Sequence, residues 1–175
     1  MAIWFTADTH FNNQRTLEYS KRPFNNVKHM NNVLVSNWNK CVAKDDIVFH
    51  LGDFGDYRTA EFLNGKIYLI PGNHERADKN FKDNYKYFYK VTDDIHKIKI
   101  KDYYITMAHE PSKLRDINID KNHINLFGHL HKLCMVKSYG INVGMDCHDF
   151  KLINLDDILF YHNQIFTYFD NEVFN

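Results

Sequence analysis

The chain has 175 residues, 44% hydrophobic and 25% charged, with 22 basic and 22 acidic side chains that cancel to zero net charge. A length of this order fits one domain around one core. Balanced charge argues against a broad, non-specific grip on duplex nucleic acid, which needs a basic face, but leaves room for a small nucleotide or a short single strand.

Residues 2–7 read as a buried strand, and with no charged leader or small-residue cleavage site before it the start does not read as a signal peptide. Apolar Val27, Met30, Val33, Leu34, Trp38, Cys41 and Val42 recur at helical spacing and predict a helix over 27–43, with Trp38 and Asn39 as packing residues. Asp45-Asp46 opens a strand over 47–51, Asp46 serving as a turn or cap residue. A short helix over Thr59–Leu63 ends near Gly65, and a third strand, Lys66–Ile70, closes at the turn Pro71-Gly72. The polar stretch 76–90 reads as a loop with some helix over one edge, its Tyr85, Tyr87, Phe88 and Tyr89 half-buried. Residues 95–101 alternate as a half-exposed strand should, with Tyr103–Ala108 as hairpin partner. Asn122–Phe127 reads as a buried strand, Leu133–Lys137 and Ile141–Val143 as a hairpin, 155–160 as a short helix and 164–169 as a last strand.

Early strands alternate with helices and later ones follow as hairpins. The fold class is therefore α+β, a single domain over 1–175 with two packed sheets and helices outside. Its chemistry should sit in loops past the carboxyl ends of the strands. No apolar run is long enough to span a bilayer. Cys41, Cys134 and Cys147 lack metal-site spacing and read as reduced thiols, so a soluble, cytoplasmic protein is expected.

Five apolar runs each end in a metal-competent group: Asp8-Thr9-His10, Gly52-Asp53, Gly72-Asn73-His74-Glu75, His109, and Gly128-His129-Leu130-His131. Imidazole, carboxylate and one amide oxygen, without thiolate, suit Mn, Fe, Zn, Co or Ni. On extended backbone, Asp8 and His10 can project the same way, as can His129 and His131. A carboxylate such as Asp53 has two oxygens and can bridge two ions. His50 reads as a hydrogen-bonded core histidine; histidines 29, 96, 123, 148 and 162, and Asp146, read as structural.

The ordered set D-x-H, G-D, G-N-H-[DE], H and G-H-x-H over residues 8 to 131 resembles the calcineurin-like metallophosphoesterase superfamily. It is most similar to a subgroup of small bacterial and phage phosphoesterases that shares Arg22-Pro23-Phe24, Asn37-Trp38-Asn39 and Asn142–Asp146. The resemblance implies a β-sandwich flanked by helices (αββα). It implies two divalent ions, manganese first, with iron, zinc, nickel or cobalt as alternatives. Asp8, His10, Asp53 and His131 would hold one ion; Asp53, Asn73, His109 and His129 would hold the other. The reaction implied is attack on a phosphodiester or phosphomonoester by a hydroxide that bridges the ions, with His74 as general acid and Asp53 and Asn73 completing the catalytic group. Glu75, where Asp is common, is expected to orient its neighbours. Relatives carry Gly-His where this chain has Asn12-Asn13, which leaves Asn13 as a neutral substrate-binding candidate. Arg22 is read either as a phosphate ligand or as a loop-anchoring ion pair.

The expected substrate is a small, nucleotide-like phosphate ester, with no membrane and no stable nucleic-acid partner, and with a monomer or homodimer as the assembly. A nuclease acting on DNA or RNA ends is the alternative within enzymes. A scaffold that has lost catalysis is the alternative outside them, and the complete donor set with His74 argues against it.

Overall fold

Period-two alternation in the apolar runs builds two sheets, because successive side chains of a strand point to opposite faces. The computed structural model describes residues 1–167. Strands β1 (Ile3–Thr6), β2 (Ile47–His50), β3 (Lys66–Leu69) and β4 (Lys90–Val91) run parallel, and β10 (Ile153–Asn154) closes the far side antiparallel to β1, giving the order β10-β1-β2-β3-β4. In the second sheet β5 (Ile95–Ile100) and β6 (Tyr103–Ala108) form a hairpin. β7 (His123–Phe127) pairs parallel with β6, β9 (Gly140–Asn142) parallel with β7, and β8 (Val136–Lys137) antiparallel with β9.

Phe5, Phe49, Leu51 and Ile70 from the first sheet pack against Ile105, Met107, Ile124, Leu126 and Ile141 from the second. The opposite face of the first sheet, including Val48, Ile67 and Leu69, packs on Met30, Leu34 and Trp38. Those three lie four residues apart on helix α2 (Val27–Cys41), so they form one stripe. The Asn26 side chain caps this helix by accepting from His29 N at 2.8 Å. Trp38 is fully buried and its Nε1 donates to Asn64 O at 2.9 Å. Asn39 holds the same loop by donating to Phe62 O and accepting from Asn64 N. Asp46 accepts from Ala2 N, Ala43 N and Trp4 Nε1, which ties the end of α2 to the start of β1.

The α+β reading and most elements stand, with local differences, among them strands β4 and β10, which the sequence reading lacked. Helix α1 (Gln14–Tyr19) and helix α3 (Asn73–Ala77) were not anticipated. The 76–90 stretch carries a 3-10 segment, Phe81–Tyr87, whose Phe81 and Phe88 are core residues. Leu133–Lys137 shortens to the two residues of β8. The expected strand at 164–169 is corrected: residues 164–167 end helix α4 (Leu155–Thr167), and 168–169 lie outside the described residues. Reciprocal bonds between Asn154 and Asp157 start that helix, and Ile158, His162 and Ile165 bury at helical spacing, so helical burial overrides the β-branched and aromatic composition. The two sheets meet at one edge through a parallel bridge between Ala7 and Gly144.

Trp38→Ala should destabilise the protein by about 3–5 kcal/mol, because it opens a cavity and orphans Asn64 O. Denaturant unfolding reads this directly; a loss below about 1 kcal/mol would mean that α2 is not seated as described.

A candidate metal centre at the strand ends

Parallel pairing aligns Thr6, His50 and Leu69 at the carboxyl ends of β1, β2 and β3, and Met107 with Leu126 in β6 and β7. The residues that follow these ends converge. Among the described residues three groups of three metal-competent side chains have ligand atoms mutually within 4.8 Å: Asp8, His10 and His131; His10, Asp53 and His74; Asp53, His109 and His129. All three lie on this one edge, and Asp53 belongs to two of them. Asn73 joins the third, its Oδ1 lying 3.0 Å from His109 Nε2 and 3.1 Å from His129 Nδ1. All eight residues expected at the centre are therefore together. His74 differs from the rest: its side chain is 53% exposed, and its Nε2 stands 3.7 Å from Asp53 Oδ2.

The backbone bends to bring them there. Asp8, His10, Asp53, His129 and His131 all have φ between 47° and 70°, in the left-handed region. Asp and His tolerate that region better than most residues, yet five at one place is a concentration of the kind that functional sites hold. The bonds Asp8 N to Gly52 O, His10 N to Asp53 O and Phe11 N to Phe54 O, each 2.9–3.0 Å, lace the first two loops together. Gly52, at φ +83, leaves no room for a side chain, since a Cβ would run into the backbone of Gly72. A Cβ at Gly128 would lie 2.7 Å from Asp8 Oδ2, the oxygen that accepts from His129 N.

Two buried charged groups brace these loops. Glu75 does orient its neighbours, accepting from the backbone N–H groups of Asp53, Phe54 and Gly72 at 2.8 Å each. Arg22 resolves to the anchoring role, and its reading as a substrate ligand is corrected. Its guanidinium is fully buried, and its nitrogens donate to both Asp146 oxygens, to Asp8 O, to Thr9 O and to Met30 Sδ. All five N–H donors are thus engaged, and none is left for a phosphate. Asp146, read from sequence as structural, bears on the site directly: its Oδ2 accepts from His131 Nδ1 at 2.9 Å, which leaves Nε2 as that ring's lone-pair nitrogen. The Leu51 carbonyl does the same for His109, accepting from Nδ1 at 2.6 Å. His50 is a core histidine bonded to Thr9 Oγ1, as read.

A cleft of about 290 Å³ opens over the group. Asn13 lines it while its side-chain oxygen caps α1 by accepting from Thr16 N. Arg15 and Tyr19, one turn apart on α1, also line it and escaped the sequence reading. The available signal was the Asn13 cap ahead of Leu17. A larger surface groove, about 760 Å³, lies beside α2, where Asn12 and Asn31 bond each other; none of the three metal-competent groups is there. Asn12 sits at φ 61, a left-handed conformation that glycine adopts without steric cost.

The donor set fits cations. Both ring nitrogens of His10 and Oδ1 of Asp8 are buried without a hydrogen-bond partner, which is costly unless a ligand satisfies them. Burial lifts the Asp8 carboxyl to about 6 and depresses the His10 imidazole to about 2. At His109 burial acts downward, but the hydrogen bond to Asp53 and the charges of Asp8 and Asp53 outweigh it and lift the ring to about 9. Burial opposes ionisation of Asp53, yet His109 and His10 hold it below the usual carboxylate range. The pocket thus favours positive charge at His109 and opposes it at His10.

Residues 1–154 match the calcineurin-like phosphoesterase superfamily domain. An uncharacterized protein of Methanocaldococcus jannaschii is 29% identical over 174 residues, covering 90% of this chain and 89% of that protein. The crystal structure of a protein of unknown function from Aquifex aeolicus superposes with a TM-score of 0.72 at 24% identity, over 90% of this chain and 97% of that one. A phosphoesterase from E. coli is more distant, with a TM-score of 0.45 and 16% identity over 82% of this chain and 78% of that one.

Metal must displace the proton from His109, so apparent Mn²⁺ affinity should rise with pH, at least about tenfold per unit from pH 6.5 toward 9 and more steeply wherever His131, raised by its bond to Asp146, or Asp8 also holds a proton. Calorimetric titration at several pH values tests this; affinity that is flat or falls over that range would contradict the placement of His109. Asp146→Ala should weaken metal binding by about 10- to 100-fold, because His131 loses the acceptor that orients it. Unchanged affinity would reduce Asp146 to a loop anchor.

Proposed function

The chain belongs to the calcineurin-like phosphoesterase superfamily, and from that premise we propose that it is a metal-dependent phosphoesterase acting on a small, nucleotide-like phosphodiester or phosphomonoester. The observation that carries this reading is a floor and a mouth of opposite character. On the floor, His10 and Asp8 present buried, unpartnered lone pairs. At the mouth, His74 presents an exposed imidazole to the same cleft. Divalent ions held by Asp8, His10, Asp53 and His131, and by Asp53, Asn73, His109 and His129, would neutralise phosphate charge and acidify a coordinated water. Manganese is the first choice, and iron, zinc, nickel or cobalt suit the same donors.

The protein's own groups then divide the remaining work. His74 N donates to Asp53 Oδ1 at 3.0 Å, and its ring stands edge-on to His10 with centroids 5.0 Å apart. Its position is therefore tied to the floor while its ring faces solvent. There it can hold a proton and pass it to the departing ester oxygen. Asn13 keeps its amide N–H₂ for a phosphate oxygen, since its carbonyl is occupied as a cap. The described residues contain no helix long and apolar enough to cross a membrane. Three free thiols favour a reducing compartment, and we place the protein in the cytoplasm.

The protein should hydrolyse bis(p-nitrophenyl) phosphate with Mn²⁺. No turnover with Mn, Fe, Zn, Ni or Co would sink the enzyme reading. His74→Ala should lower kcat by about 10²- to 10⁴-fold at unchanged metal content. If metal is lost as well, His74 is a ligand, as its grouping with His10 and Asp53 would allow.

A further inference from the structure

The floor of the site suits any phosphate ester, so selectivity has to come from its walls. Of the five arginines, Arg22, Arg58 and Arg76 are paired with carboxylates. Arg15 and Arg115 have no carboxylate partner among the described residues, and both border the metal-competent group. Arg15 lines the 290 Å³ cleft; Arg115 lines a second cavity of about 300 Å³, and His129 lines both. Each cavity also holds a tyrosine. Tyr19 follows Arg15 by one turn of α1, and Tyr139 lies in the second cavity with Lys137 Nζ 6.0 Å from its ring centroid. The carboxylate of that cavity, Glu110, is engaged by Arg76 and Lys113, so the charges of Arg115 and Lys137 stay uncompensated.

A cation and an aromatic ring thus stand on each side of one metal-competent histidine. A guanidinium takes phosphate oxygens, and a tyrosine ring offers a face on which any base can stack. A monoester would leave one of the two cavities empty, and zero net charge speaks against a duplex. Resting on the phosphoesterase reading above, we propose that the substrate is a short linear oligonucleotide bound on both sides of its scissile phosphate. Arg15 and Tyr19 hold one flank; Arg115, Lys137 and Tyr139 hold the other. Water adds its oxygen to phosphorus, the P–O bond to one nucleoside breaks, and the departing oxygen takes a proton. The products are one fragment ending in phosphate and one ending in hydroxyl.

The test compares kcat/KM of the Mn²⁺-loaded protein on 5′-phosphorylated trithymidylate, bis(p-nitrophenyl) phosphate and p-nitrophenyl phosphate. The trinucleotide should exceed the bis-aryl reporter by about 100-fold, since binding energy from both flanks is available only to it. Arg15→Ala and Arg115→Ala should each lower the trinucleotide-to-reporter ratio about tenfold, mainly through KM. Raised NaCl should lower the ratio too. Both arginines are exposed, and unchanged unfolding midpoints would show that the variants fold. A ratio at or below one, a preference for the monoester, or a ratio unmoved in either variant overturns the two-sided substrate. If the reporter is turned over and the trinucleotide is not, this inference falls and the phosphoesterase reading stands. If nothing is turned over, both fall.

Discussion

Two imidazole nitrogens on His10 and one carboxylate oxygen on Asp8, buried without partners, set the terms for everything around them. Each such atom disfavours the folded state by about 1–3 kcal/mol. A chain free to relax would turn them toward water or toward each other. The surroundings forbid that. The two sheets close over the loops, hydrogen bonds between the first two loops fix their backbones, and Gly128 lets the opposite loop press onto Asp8. A cation held there would take one lone pair from His10 and one from Asp8.

Two buried charges do the holding, by different means. Glu75 is an acceptor for backbone: its two oxygens gather three N–H groups from two loops that would otherwise be unsatisfied. Arg22 is a donor for backbone: it binds the carbonyls of Asp8 and Thr9 from behind and is fixed by Asp146 on the other side. Asp146 in turn orients His131. Neither charge faces the cleft, so the residues that meet substrate can vary while the frame stays constant. Asn13, Arg15 and Tyr19 line the cleft instead and are no part of that frame.

The donor set was legible in the sequence because each part is short and follows an apolar run: a strand delivers its last residues to one edge, and parallel neighbours share it. The role of Arg22 was not legible, since its partner Asp146 lies 124 residues away and only the closed fold pairs them. Asp146 was undervalued for the same reason. Helix α1 was missed because only Thr16 and Leu17 of its six residues are buried, too few to show a period. With it went Arg15 and Tyr19. The end of α4 misled in the opposite way, since residues with strand preference were recruited into a helix by burial of Ile158 and Ile165.

The bond from His129 N to Asp8 Oδ2 joins positions 121 residues apart, and the Arg22–Asp146 pair spans 124. A chain leaving the ribosome therefore exposes Asp8 and His10 long before the residues that complete their surroundings. The first four strands can form around α2 while the pocket is still a half-site open to solvent, without His129, His131 or Asp146. His10, Asp53 and His74 can come together from the first sheet alone, whereas the groups that include His131, or His109 and His129, need the second. The complete donor set is consequently a property of the closed two-sheet fold and of neither sheet alone.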